Sequence, residues 1–124
     1  MASNRLGRIN EEMQRELAGL IRNLKDPRVQ SAMVSVTGVQ ATPDLRYAKV
    51  RFSVLQQERA ADVLKGLRSA GGWLRRELGG RLQLRYTPEL VFEEDDSIRY
   101  GAHMSELLAS LTEQKDEGED EDHG

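Results

Sequence analysis

Lys65, Arg68, Arg75, Arg76, Arg81 and Arg85 crowd a short stretch in which the only acidic residues are Asp62 and Glu77. At its centre lies Ala70-Gly71-Gly72, which carries almost no side-chain bulk. A guanidinium presents a planar fork of donors that matches phosphate oxygens. A helix restarting after Gly72 would add unpaired backbone N–H groups, which also favour an anion. The chemistry on offer is phosphate binding beside a backbone that a partner can approach closely. A helix-packing corner with solvated arginines accounts for the same residues, and this stretch alone does not separate the two. A second basic set, Arg8, Arg15 and Arg22, is spaced by seven and falls on one helical face, with Lys25 and Arg28 just beyond it. A solvated amphipathic surface explains that stripe as well as RNA does.

Other candidate chemistry is thin. Glu93-Glu94-Asp95-Asp96 offers four carboxylates, but along an extended chain they alternate in direction and lack the glycine-containing loop of a calcium site. A solvated turn is the expectation there. His123 lies in an acidic tail and His103 has no Asp, Ser or second His at ligand spacing, so surface or packing roles are expected. The chain has no GxxxxGK[ST], no GxSxG, and no GxGxxG among Gly66, Gly71 and Gly72. The absence of cysteine removes disulfides, zinc-thiolate sites and thiol catalysis, and is compatible with a reducing cytosol. These residues predict no catalytic site, no metal and no cofactor.

The elements that must hold the basic residues follow from periodicity. Val63, Leu64 and Leu67 recur at helical spacing before Gly71-Gly72, and Trp73, Leu74 and Leu78 after it. An interior glycine costs a helix about 1 kcal/mol against alanine. The pair therefore predicts two short helices meeting at a bend or close backbone approach. Gly79-Gly80 is expected to end the second helix. Upstream, residues 1–7 read as a flexible arm. From Arg8, the positions Ile9, Met13, Leu17, Leu20, Ile21 and Leu24 predict a helix ended by Asp26-Pro27. Val34 to Thr37, leading to Gly38 and Val39, and Tyr47 to Leu55 alternate as strands joined by the turn residues Thr42-Pro43-Asp44-Leu45, predicting an antiparallel hairpin. On the second strand Ala48, Val50, Phe52 and Val54 share one face, with Tyr47, Lys49, Arg51 and Ser53 on the other. Leu82, Leu84 and Tyr86 alternate before a further strand opening at Pro88. Ser97 is expected to cap a last helix carrying Ile98, Ala102, Leu107, Leu108 and Leu111.

A chain of 124 residues suits one domain, here expected over residues 8–112, and its 38% hydrophobic content allows only a small, mainly aliphatic core. No apolar run approaches the ~20 residues of a membrane span. The net charge of −3 hides an asymmetry, because seven acidic residues against one lysine lie between Glu113 and Gly124. Without that tail 17 basic and 14 acidic residues remain, and arginine supplies 14 of all 18 cations, which makes nucleic acid a fair candidate partner. The tail, 113–124, is expected to be disordered, serving as a solubilising appendage or competing with RNA for the basic face.

The order of elements, together with particular residues, resembles the bacterial ribosome-binding factor A family. The residues carrying the likeness are Lys25-Asp26-Pro27-Arg28, Val36-Thr37-Gly38-Val39, Asp44-Leu45-Arg46-Tyr47-Ala48-Lys49-Val50, Ala70-Gly71-Gly72-Trp73-Leu74-Arg75, Leu84-Arg85-Tyr86-Thr87-Pro88-Glu89-Leu90 and Asp96-Ser97-Ile98. They run from about residue 5 to about residue 111 in the family's order. The resemblance implies an α+β fold, a type II KH-like domain ordered α-β-β-α-kink-α-β, with a three-stranded mixed sheet backed by helices. It implies that Ala70, Gly71 and Gly72 form a kink where KH domains carry the GxxG loop that clamps a nucleic-acid backbone. Without GxxG, shape and phosphate recognition on folded rRNA is expected rather than single-strand reading. The family implies a non-enzymatic, cytoplasmic and monomeric assembly factor, typically with a role in cold tolerance. Its partners would be the immature 30S subunit and 16S rRNA, with 5′-end maturation assisted and release through a GTPase or the maturing subunit itself. The rival reading is a protein-interaction module with an incidental basic surface.

Overall fold

The computed structural model describes the backbone over residues 2–97 and 101–111, and side chains from Arg5 onward within that span. Helix α1 (Ala2–Arg22) leads to a short α2 (Pro27–Gln30), then strands β1 (Ser35–Ala41) and β2 (Tyr47–Ser53). A 3-10 turn at Gln57–Arg59 opens α3 (Ala60–Ser69), which is followed by α4 (Gly71–Leu82) and β3 (Glu89–Glu94). The sheet order is β1-β2-β3, with β1 and β2 antiparallel and β2 and β3 parallel. The parallel pair requires the helical crossover that α3 and α4 supply.

The helices cover one face of the sheet. Met13, Leu17, Leu20 and Ile21 of α1, Val63 and Leu67 of α3, and Leu74 and Leu78 of α4 close over Ala48, Val50 and Phe52 of β2 and Phe92 of β3. Tyr47, Lys49 and Arg51 alternate outward on β2, as the period-2 pattern predicts. Burying a side chain of this size is worth about 1.5–3 kcal/mol, so the aliphatic knot where α1, α3 and α4 meet β2 is the main support of the kink.

Several boundaries differ from the sequence expectation. Helix α1 begins at Ala2 and takes in the segment read as a flexible arm, because Leu6 extends the apolar stripe and packs against the core. After α1, Asp26-Pro27 opens a further helical turn: the Asp26 carboxylate accepts the Arg28 N–H at 2.9 Å and proline occupies the first helical position. Helix α4 passes through Gly79-Gly80 and stops at Gln83, which takes the left-handed conformation itself (φ 51, ψ 42). Gly79 instead serves packing, since a Cβ there would run into Thr87 Oγ1. Leu82 is thereby helical, residues 83–88 are irregular, and β3 starts at Glu89. In β1 the register skips Thr37 between Val36 and Gly38, a bulge that re-aims the Thr37 side chain.

Ser97 is already helical, and its N–H is taken by Asp95 Oδ1 at 2.9 Å, so the carboxylate does the capping assigned to Ser97. Residues 101–111 are helical with every side chain exposed. Ile98 and the acidic tail lie outside the described residues.

Candidate nucleic-acid interface

The α3–α4 corner turns on Ala70, which keeps helical dihedrals of φ −86 and ψ −1 while the next helix starts on a new axis. The first bond of α4 runs from Leu74 N–H to Ala70 O at 2.9 Å. The N–H groups of Gly71, Gly72 and Trp73 precede it, and no side chain among the described residues caps them. A Cβ on Gly72 would meet nothing within 4 Å, and one on Gly71 would come no nearer than 3.9 Å to the Phe92 ring. The bend is present, but no close approach among the described residues demands either glycine. The close approach is at Gly66, where a Cβ would lie 2.7 Å from Val29 Cγ2 and force α2 off α3. The kink glycines therefore leave backbone bare toward solvent.

Cations edge this corner unequally. Lys65 and Arg68 on α3 and Arg76 on α4 are exposed. Arg28 is brought beside the kink, with Nη2 3.5 Å from Ser69 Oγ, but its guanidinium is already bidentate on Asp26, with Nε to Oδ1 at 3.0 Å and Nη2 to Oδ2 at 2.7 Å. That bonding holds the Asp26 carboxyl below, and the Arg28 guanidinium above, their ordinary values. Arg75 turns away from the kink and donates from Nε (3.1 Å) and Nη2 (2.9 Å) to the Thr87 carbonyl. Arg81, at the far end of α4, faces Glu16 of α1 at 3.4 Å. Arg85 lies over the Tyr86 ring, 5.6 Å from its centroid.

Arg8, Arg15 and Arg22 are exposed on α1 as the seven-residue spacing predicts, and Lys25 follows them. Among the described residues no side-chain hydrogen bond or ion pair engages these four. Of the predicted set, Lys65, Arg68 and Arg76 are exposed on the two helices that meet at Ala70, Gly71 and Gly72; Arg28 reaches Ser69 but is paired with Asp26, and Arg75, Arg81 and Arg85 have structural partners elsewhere.

The carboxylate run is partitioned by the sheet. Glu93 pairs with Lys49 across β2 and β3 at 3.4 Å. Asp95 Oδ2 accepts the Thr37 hydroxyl at 2.6 Å, bridging the outer strands across the end of β2. The Ser97 hydroxyl first, then the Thr37 hydroxyl and the Ser97 N–H, hold the Asp95 carboxyl at about 2. Among the described residues no group of three or more metal-ligating side chains gathers, and no helix is long and apolar enough to cross a membrane.

Sequence reasoning missed a second concave surface. Tyr47 and Tyr86, placed respectively on a polar strand face and in an alternating run, line one groove together with Arg46 and Arg75. Tyr47 and Tyr86 each follow an arginine, Arg46 just before β2 and Arg85 inside the loop after α4, and that was the available signal.

A mixed three-stranded sheet backed by helices, with a bare helix–helix corner, defines a KH-like domain of the type II arrangement. The chain belongs to the ribosome-binding factor A family, whose model matches residues 5–108. It is 49% identical over 118 residues to ribosome-binding factor A of Clostridium tetani, covering 94% of this chain and 97% of that one. Identity to the Acetivibrio thermocellus protein of the same name is 51% over 112 residues, 89% of this chain and 90% of that one. The crystal structure of ribosome-binding factor A from Thermus thermophilus superposes with a TM-score of 0.66 at 26% identity, covering 72% of this chain and 93% of that one. A Thermus thermophilus ribosome-binding factor A homology model fitted into a cryo-electron microscopy map of a complex with the 30S subunit gives 0.59 at 27% identity, covering 70% and 91%.

Proposed function

We propose that this chain is a non-enzymatic factor that binds the immature 30S subunit through 16S rRNA and supports its late maturation, including processing of the 16S 5′ end. The observation that carries the reading is the bare Ala70–Gly72 corner, where α4 starts uncapped between two helices that carry exposed cations, in a member of this family. Backbone N–H groups at the start of α4 meet a phosphate, while Lys65, Arg68 and Arg76 neutralise its neighbours. Arg8, Arg15, Arg22 and Lys25 extend the contact along α1. Binding free energy is the only drive such a protein has. Tighter binding to the immature than to the mature subunit shifts the population of rRNA conformers. Release then needs a GTPase or the maturing subunit itself. The factor acts as a monomer in the cytoplasm and supports growth in the cold.

The test is co-sedimentation of the purified chain with 30S subunits, 50S subunits and 70S ribosomes. Selective 30S binding that weakens steeply with salt is the expected result. No 30S binding at moderate salt would sink the reading.

A protein-interaction module is the second reading, and one observation favours it: Met104, Leu107, Leu108 and Leu111 form an exposed apolar stripe on the last helix. Salt-insensitive binding to 30S subunits, lost on truncation before residue 101, would move the contact there.

A further inference from the structure

We propose that the groove between the β1–β2 turn and the α4–β3 loop takes one unpaired base of single-stranded RNA, stacked on Tyr47 and Tyr86. This rests on the rRNA-binding reading and adds a second, chemically different contact to it.

The groove is open on one side and offers about 450 Å³, a volume in the range of sites that hold small organic groups. Its two aromatic side chains are open to solvent, Tyr47 at 46% and Tyr86 at 67%. A base stacks on such a ring whatever its identity, because every base has a π face. Arg85, 5.6 Å from the Tyr86 centroid, favours one ring orientation through its cation–π contact.

Both walls are held in advance. On one side the Arg75 fork on Thr87 O ties the 83–88 loop to α4. On the other, Thr42 N–H donates to Tyr47 O at 2.8 Å, and Asp44 Oδ1 accepts the Thr42 hydroxyl at 2.6 Å and the Arg46 N–H at 3.1 Å. Leu45 sits between them at φ 58. Glu89 N–H to Arg46 O at 2.9 Å joins the two walls. A groove fixed by its own hydrogen bonds loses little freedom when it is filled.

The charges decide which part of a nucleotide enters. Asp44 and Glu89 line the groove with Arg46 and Arg75, and the Thr42 hydroxyl and Arg46 N–H keep the Asp44 carboxyl below its ordinary value. The two carboxylates offset the two guanidiniums, and Arg75 is already committed to Thr87 O, so the lining offers no excess of free cation to draw a phosphate inside, whereas a neutral base needs none. The base therefore occupies the groove and its phosphates stay outside, within reach of the exposed Arg46.

The test uses the full chain and a six-nucleotide single-stranded RNA carrying one 2-aminopurine in place of adenine. Stacking on tyrosine is expected to quench the probe. Tyr86→Ala and Tyr47→Ala are each expected to weaken binding about tenfold, while Tyr86→Phe keeps both quenching and affinity. Native circular dichroism of all three variants guards against unfolding. An unquenched probe at saturating protein, or unchanged affinity in both alanine variants, would overturn the proposal. Co-sedimentation with 30S subunits separates the two claims: wild-type 30S binding without quenching removes the groove alone, whereas quenching without 30S binding keeps the groove and removes the ribosomal reading.

Discussion

Arg75 is a clamp before it is a contact residue: both Nε and Nη2 donate to the Thr87 carbonyl, at 3.1 and 2.9 Å. The neighbouring Arg76 is exposed and makes no such contact, so two adjacent arginines that look equivalent in sequence have different duties.

Reversing charge at each position should split those duties. Arg76→Glu leaves the melting temperature unchanged within about a degree and weakens 30S or RNA binding, lowering the slope of log affinity against log salt by about one. Arg75→Glu strips two hydrogen bonds and sets a carboxylate against a carbonyl, costing about 1–3 kcal/mol of stability. Thermal unfolding followed by circular dichroism, beside a salt titration, reads both. A large melting loss in Arg76→Glu would show that it too is structural.

Gly72 and Gly66 should respond oppositely to alanine. A Cβ at Gly72 meets open space, so Gly72→Ala gains helix propensity, about 0.5–1 kcal/mol, while encroaching on any backbone docked there. Gly66→Ala drives a methyl into buried Val29 and costs about 1–3 kcal/mol. Urea unfolding of both, with 30S binding of the first, checks this. A Gly72→Ala chain that is more stable yet binds undiminished removes close approach at the kink.

Acid should dissolve the link between the outer strands. The folded Asp95 carboxyl is depressed to about 2 from a usual 3.8, so its stabilisation is present above the unfolded value and lost as pH falls through the folded one. At neutral pH Asp95→Asn costs about 1–2 kcal/mol, reduced because the site is partly solvated. That difference from wild type should shrink between about pH 4 and pH 2. A gap constant across that window would mean the carboxylate charge is not what Thr37 and Ser97 bind.

The periodic parts of this fold were legible, and the exceptions share a cause. Met13, Leu17 and Ile21 announce α1, and the alternation of Ala48, Val50 and Phe52 announces β2, because one face of each is buried. The break at Ala70 followed from glycine chemistry. The end of α4 did not, because Gly79 is there for Thr87, and a glycine kept for packing looks the same in sequence as one kept for a left-handed turn. Likewise Arg75 and Arg28 read as free cations, since their partners Thr87 and Asp26 are set by tertiary structure or by a cap. Tyr47 and Tyr86 lie 39 positions apart in the sequence, and only the pairing of β2 with β3 puts them in one groove.

That pairing also orders events as the chain folds. β1 and β2 can zip locally through the Thr42–Tyr47 turn, but the second edge of β2 has no mate until residues 54–88 have coiled over the sheet and delivered Glu89–Glu94. Non-local closure of this kind is slow, since chain entropy is spent before the contact rewards it. A nascent chain halted before Glu89 carries Val50 and Phe52 on an open strand edge, the kind of edge that recruits other chains. The last strand of the domain is thus also the one that makes the protein safe to release.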